Sequence, residues 1–325
     1  MTAAVVLSSG CSLESKYNCE FFAMDTVMTI NAYGSKSESA VKAAQNEINR
    51  LDNLLSIQNE NSEIFRLNQE KSMTVSEDTL TLITRSKEIY TLTNGAFDIS
   101  CEPLAREWGF YSGLENKVPS QGAIENALEG VGAEYIKIKN STVTLNENTS
   151  LDLGGIAKGY ASQKAAEILK EYGVTSALMS LGGNVRAVGS KPDGEDWSVA
   201  INDPDDNSKS IGTLKISDKA VVTSGGYQRY FEENGQIYHH IIDTKTGYPA
   251  ESGLKSVTVV SSDDTLADAL STSLFVMGLE KSGVFYRENS SLFGAVFITD
   301  NNEIYVTDNL KDSFMSEQGF EVISV

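Results

Sequence analysis

Apolar positions along this chain switch repeatedly between two spacings. From Phe21 to Ala32 they alternate as in a strand, FFAMDTVMTINA. From Ser37 to Leu55 the spacing becomes helical, with Val41, Ala44, Ile48, Leu51 and Leu55 on one face. A short helix is predicted over Ser62 to Leu67, ending near Asn68. A longer one runs from Ser76 to Thr91, with Ser76 as N-cap and Glu77 and Asp78 in the first turn. Asn94 to Phe110 reads as a loop, and Ser120 to Leu128 as a helix. Tyr135–Ile138 and Thr142–Leu145 read as a hairpin turning at Asn140 and Ser141.

The stretch Leu151 to Lys170, LDLGGIAKGYASQKAAEILK, reads as a short strand ending at Asp152, a glycine turn and a helix. Strands are then predicted over Ser176–Leu181, Val185–Val188, Trp197–Ile201, Leu214–Ile216 and Ala220–Thr223. Tyr227 to Tyr238 reads as a hairpin with Asn234 and Gly235 at its turn. After the loop TKTGYP, a strand over Ser256–Val260 leads to a helix over Asp264–Met277, closed by Gly278. Strands over Leu292–Thr299 and Glu303–Thr307 follow. Helices and strands mix without regular βαβ alternation, so the pattern favours an α+β fold over a doubly wound sheet. There is no solenoid-length repeat and no linker dividing the chain.

Charge narrows the function classes. The 325 residues carry 45 acidic and 26 basic side chains, a net charge of -19. Such a surface disfavours nucleic acid and a basic-face attachment to anionic lipid. A phosphate-bearing ligand would need local Lys or Arg, or a metal, to offset that field. The three cysteines, Cys11, Cys19 and Cys101, have no zinc-type spacing, and their odd number forbids complete internal pairing. The two histidines are adjacent, His239 and His240, so any imidazole chemistry must use one of them.

Several motifs bear chemistry. The glycine turn of 151–170 is of the kind that brings backbone N–H groups to an anion, with Lys158 at its mouth and Asp152 as an acceptor or metal partner. It matches neither a Walker A loop nor a dinucleotide fingerprint, and a turn serving only packing is the alternative. Asp268 and Thr272 stand four apart on one helix face and offer hard oxygens suited to Mg²⁺; the alternative is that Thr272 only bonds back to its helix. HHIID puts His240 three residues from Asp243, as a general base or as a structural histidine. No GxSxG elbow is present.

Two resemblances follow. MTAAVVLSSGCS resembles the end of a bacterial lipoprotein signal, truncated or mis-started, with no Lys or Arg before a short apolar run and Cys11 as the anchor. The alternative is a tail with an incidental cysteine. From about Phe21 onward, the ordered series AMDT, SIQNENSEI, RLN, GAFDIS, LDLGGIAKGYA, LGGN, TSGGYQRYF, HHIIDTKTGYP and ADALSTSLFVMG resembles the ApbE family of FAD:protein FMN transferases. The resemblance implies mixed and antiparallel sheets with helices, in two intertwined halves around a flavin cleft. It implies a tether over 1–20 and a transferase domain over 21–325.

The implied reaction is Mg²⁺-dependent. FAD is split at its pyrophosphate, FMN passes to a Thr or Ser hydroxyl of an acceptor redox protein, and AMP leaves. By motif position, the side chains of Asp268 and Thr272 and the carbonyl of Gly155 would hold Mg²⁺. Met24, Gln58, Ala96, Phe97, Asp98, Asp152 and Lys158 would line the FAD site. His240 would take the proton of the acceptor hydroxyl. The expected location is the extracytoplasmic face of a membrane, through a lipid on Cys11.

Two positions depart from the family pattern. Asp25 stands where Gly is usual, and Gln58 where many members carry an aromatic residue that packs on the flavin. Loss of that stack makes hydrolysis of FAD to FMN and AMP the first alternative activity. A non-catalytic FAD-binding lipoprotein is the second.

Overall fold

The computed structural model describes residues 15–324. Cys11, and with it the expected lipid anchor, lies outside the described residues. The chain opens with β1 (Lys16–Ala23) and β2 (Thr26–Tyr33), followed by α1 (Ser37–Leu55) and α2 (Glu63–Glu70). Next come β3 (Ser72–Thr74), α3 (Glu77–Leu92), α4 (Glu102–Glu107), α5 (Gln121–Leu128), β4 (Ile136–Lys139), β5 (Thr142–Leu145) and α6 (Ala157–Glu171). A β-rich stretch follows with β6 (Ser176–Leu181), β7 (Asn184–Val188), β8 (Trp197–Asp203), β9 (Asp206–Ile216) and β10 (Ala220–Gly225). Then come β11 (Tyr230–Glu233), β12 (Gln236–His239), β13 (Ile242–Asp243), β14 (Tyr248–Pro249) and β15 (Leu254–Ser261). The chain finishes with α7 (Asp264–Asn289), β16 (Gly294–Thr299), β17 (Ile304–Thr307), β18 (Phe314–Met315) and β19 (Glu321–Ile323).

A nine-stranded sheet in the order β1-β2-β6-β7-β10-β15-β16-β17-β19 is the frame. Its neighbours are antiparallel except β17 and β19. Alternation along each strand gives the sheet two apolar faces. On β10, Ala220 and Val222 join the core shared with α1, α6 and α7, while Val221 joins the core under β8 and β9. Helices therefore cover one face, and the three-stranded sheet β18-β9-β8 covers the other. The first hairpin reaches its neighbour β6 only after a long excursion, and α1 packs on α6 across the same gap. This interleaving makes the fold α+β with intertwined halves. A third cluster, Leu104, Trp108, Phe110 and Ile124 with Phe231 and Tyr238, fastens α4, α5 and the β11–β12 hairpin together.

The structure corrects the sequence reading in four places. Phe21 to Ala32 is two strands, because Met24 and Asp25 turn the chain in the left-handed region at φ 48° and 58°. A two-residue turn leaves the alternating pattern unbroken, so it hides in the sequence. The strand expected to end at Asp152 is absent; Leu151 and Leu153 are buried in an extended stretch outside any sheet. The loop over 94–110 contains α4, with a proline in its first turn. Gly278 kinks α7 at φ 76°, and helix continues to Asn289.

Candidate active site

A cleft of about 510 Å³ opens between the edge of the helix layer and the 52–58 and 96–111 segments. Met24, Gln58, Ala96, Phe97, Asp98, Asp152, Gly155, Lys158, His240, Asp268 and Thr272 all line it. Each motif is positioned by a nameable contact.

The glycine turn is held without a strand. The Asn68 carboxamide brackets Leu151, donating to its carbonyl (2.9 Å) and accepting from its N–H (2.7 Å). The Asp152 N–H donates to the Ile99 carbonyl at 2.7 Å. One Asp152 carboxylate oxygen accepts from the Gly154 N–H at 2.7 Å, and the other from the Tyr111 hydroxyl at 2.8 Å. Asp98 folds the GAFDIS segment on itself, accepting from the N–H and hydroxyl of Ser100 at 2.8 and 2.6 Å. Burial pushes the Asp98 carboxyl up from its ordinary value, and those two bonds oppose the shift.

Helices α6 and α7 lie side by side with matching rungs. The Ser162 hydroxyl donates to Asp264 (2.6 Å) and the Gly159 N–H donates to Asp268 (2.7 Å). A Cβ built on Gly155 would lie 3.8 Å from the Thr272 hydroxyl oxygen. Glycine at 159 permits this approach. A Cβ there would stand 2.7 Å from the Asp268 Cβ and collide with the Asp264 carbonyl. The result is that Gly155, just before α6, and Asp268 and Thr272, on the first turns of α7, line the same part of the cleft. Ser224 of β10 adds a hydroxyl 3.3 Å from that of Thr272.

These donors fit a small hard cation. Among the described residues no three His, Cys, Asp or Glu side chains gather as a metal cage. One carboxylate with a hydroxyl and a carbonyl is the sparse set Mg²⁺ uses when phosphate oxygens complete its shell. The charge of the cleft points the same way. Asp25, Asp52, Asp98, Asp152 and Asp268 line it against Lys158 and Arg229. An anionic ligand enters such a cleft most readily with a cation beside it.

The two histidines separate cleanly. The His240 ring lines the cleft, and its Nδ1 lies 3.1 Å from the Arg229 carbonyl. A carbonyl only accepts, so Nδ1 carries the proton and Nε2 is left with its lone pair. Burial, with help from the nearby charges of Arg229 and Lys158, pushes His240 down to about 4 despite that hydrogen bond. The imidazole is therefore neutral at pH 7. His239 stacks edge-on against Phe275 at 5.4 Å, and its Nε2 lies 3.2 Å from the Ala250 carbonyl; it supports α7 from behind. Asp243, expected beside His240, instead turns the TKTGYP loop through the N–H groups of Lys245, Thr246 and Gly247. That loop is pinned by the Trp108 indole N–H on the Gly247 carbonyl at 2.8 Å.

Sequence reasoning missed Tyr111, whose partner Asp152 lies 41 residues away and gives no local signal. It also left Asn184 without a role, although LGGN ends on it and it lines the cleft. Gln58 is exposed at the cleft wall.

Comparison with known proteins gives the family. The model of the ApbE family matches residues 24–297. A FAD:protein FMN transferase of Klebsiella pneumoniae is 32% identical over 286 residues, covering 85% of this chain and 87% of its own. One of Vibrio cholerae is 32% identical over 292 residues, covering 86% and 87%. The crystal structure of an ApbE protein from Thermotoga maritima superposes with a TM-score of 0.86 at 32% identity, covering 92% of this chain and 99% of that one. The apo flavinyl transferase ApbE of Pseudomonas stutzeri gives 0.83 at 27% identity, with 92% and 97% covered. A family match over residues 24–297, with sequence identity and a fold that agree over this length, establishes that the chain belongs to the ApbE family.

Proposed function

We propose that this protein transfers FMN from FAD to a Thr or Ser hydroxyl of an acceptor redox protein, with Mg²⁺ and release of AMP. The observation that carries the reading is the meeting of Gly155, Asp268 and Thr272 in the same cleft that the neutral His240 imidazole faces. The relatives named as FAD:protein FMN transferases support it.

Phosphoryl transfer asks a protein chiefly for alignment and charge neutralisation. Mg²⁺, held by Asp268, Thr272 and the Gly155 carbonyl, would neutralise charge on the pyrophosphate. Lys158 adds a positive charge at the α6 start, where its ammonium now donates to the Gly154 carbonyl at 3.3 Å. His240 Nε2 accepts the proton of the acceptor hydroxyl as its oxygen attacks the phosphorus of the FMN half. The bond from that phosphorus to the bridging oxygen breaks, and AMP carries that oxygen away. Asp98, Asp152 and Tyr111 form the polar wall near Phe97, ordered by the Tyr111 hydroxyl on Asp152 and by the Ser100 bonds to Asp98. Asp268→Ala tests the assignment: Mg²⁺-dependent AMP release from FAD should vanish while some FAD binding remains. AMP release that persists in this variant would remove Asp268 from the metal site.

The exposed Gln58 favours a second outcome at the same site, in which water replaces the acceptor hydroxyl and free FMN leaves with AMP. We also propose that a lipid on Cys11 holds the protein at the outer face of a membrane. The LSSGC run supports this. No helix among the described residues is long and apolar enough to cross a bilayer.

A further inference from the structure

Asn184 is the buried polar side chain that the site described so far does not use. It is 4% exposed, it lines the cleft, and its Nδ2 has no hydrogen-bond partner among the described residues. A buried N–H left unpaired destabilises a fold, and such groups in native structures call for an explanation.

Its place on the sheet supplies one. Asn184 precedes Arg186 by two residues on β7, so both side chains leave the same face. Arg186 lies opposite Ala220 of β10, so that face also carries Val222 and Ser224. It is the face packed on α6 and α7. Arg186 reaches Asp264 of α7 at 2.7 Å, and Ser224 reaches Ser271 and Thr272 at 2.7 and 3.3 Å. Asn184 stands between those two rungs of the sheet. Asp268 stands between the matching rungs of α7, one turn beyond Asp264 and one before Thr272. The carboxamide is therefore level with Asp268, at the metal end of the cleft.

Resting on the reading of the cleft as a FAD site, we propose that Asn184 is a substrate-binding residue whose carboxamide N–H donates to a phosphoryl oxygen of the FAD pyrophosphate beside the metal. The acceptor its N–H lacks among the described residues is supplied by the substrate. Phosphoryl oxygens are the acceptor-rich part of a dinucleotide, and Lys158 and Arg229 are the lysine and arginine that line the cleft to meet them. Because Nδ2 makes no hydrogen bond among the described residues, rotation about the terminal torsion brings the N–H round without breaking one of its own.

The test compares the wild type with Asn184→Ala and Asn184→Asp by flavin fluorescence at saturating Mg²⁺, titrating FAD and, separately, riboflavin, which has no phosphate. The melting temperature without ligand and the Mg²⁺ half-saturation are read alongside. FAD affinity should fall about ten- to a hundredfold in both variants, as for a lost hydrogen bond to a charged group. Riboflavin affinity should hold, and the melting temperature of Asn184→Ala should hold or rise. A structural asparagine would instead show a lowered melting temperature. Unchanged FAD affinity, or an equal loss for riboflavin, would overturn the proposal. So would tighter Mg²⁺ binding by Asn184→Asp, which would make residue 184 a metal ligand. Failure of the wild type itself to bind FAD would instead overturn the reading of the cleft.

Discussion

At the scale of single residues, the adjacent histidines show how far spacing can go. Motif position singles out His240, and the structure gives the physical difference: the His240 ring lines the cleft while His239 packs on Phe275. His240→Ala should lower transfer by about 10²- to 10⁴-fold, the usual worth of a positioned proton acceptor, with FAD still bound. His239→Ala should instead lower the melting temperature, since its ring packs on Phe275. The pH profile follows from the depressed His240. The neutral ring accepts a proton and the protonated ring does not, so transfer should be level from about pH 6 upward and fall as pH drops through about 4. An acid limb near the ordinary histidine value, about 6.5, would mean a solvated ring. At the cleft wall, Gln58→Tyr should tighten FAD binding by about 0.5–1.5 kcal/mol if it restores a flavin stack, which a fluorescence titration measures.

At the scale of elements, α6 and α7 carry the site through their contact. Gly159→Ala tests that contact. Its Cβ would meet Asp264 and Asp268, forcing the helices apart at a cost of about 1–3 kcal/mol, and with them Gly155 from Thr272. Both the melting temperature and the Mg²⁺ affinity should fall. Unchanged Mg²⁺ affinity would separate the metal site from the helix contact. The elements that sequence reading found were those with local causes. α1 was legible from its apolar face, and α3 from Ser76, whose hydroxyl accepts from the Thr79 N–H. What it missed depends on distant partners. The Leu151–Leu153 segment looks like a strand because both leucines are buried, yet its polar backbone is met by Asn68 and Ile99 instead of a ladder. The residues picked out by motif order all line the cleft. Tyr111 and Asn184 were not picked out, because their significance lies in what the fold brings beside them.

At the scale of the whole molecule, charge and anchoring set the conditions for function. A net charge of -19, with aspartates lining the cleft, opposes an anionic substrate, so FAD affinity should drop at least several-fold when EDTA removes Mg²⁺. If Cys11 carries the lipid, Cys11→Ser should move the protein from the membrane fraction to the soluble one on fractionation of cells. The central claim is that this cleft moves FMN onto another protein, and the intact mass of an acceptor domain carrying a Thr flavinylation site tests it most directly. After incubation with this protein, FAD and Mg²⁺, the acceptor should gain the mass of one FMN, and should gain nothing in EDTA. An acceptor of unchanged mass beside free FMN and AMP would contradict transfer and leave a FAD pyrophosphatase in its place.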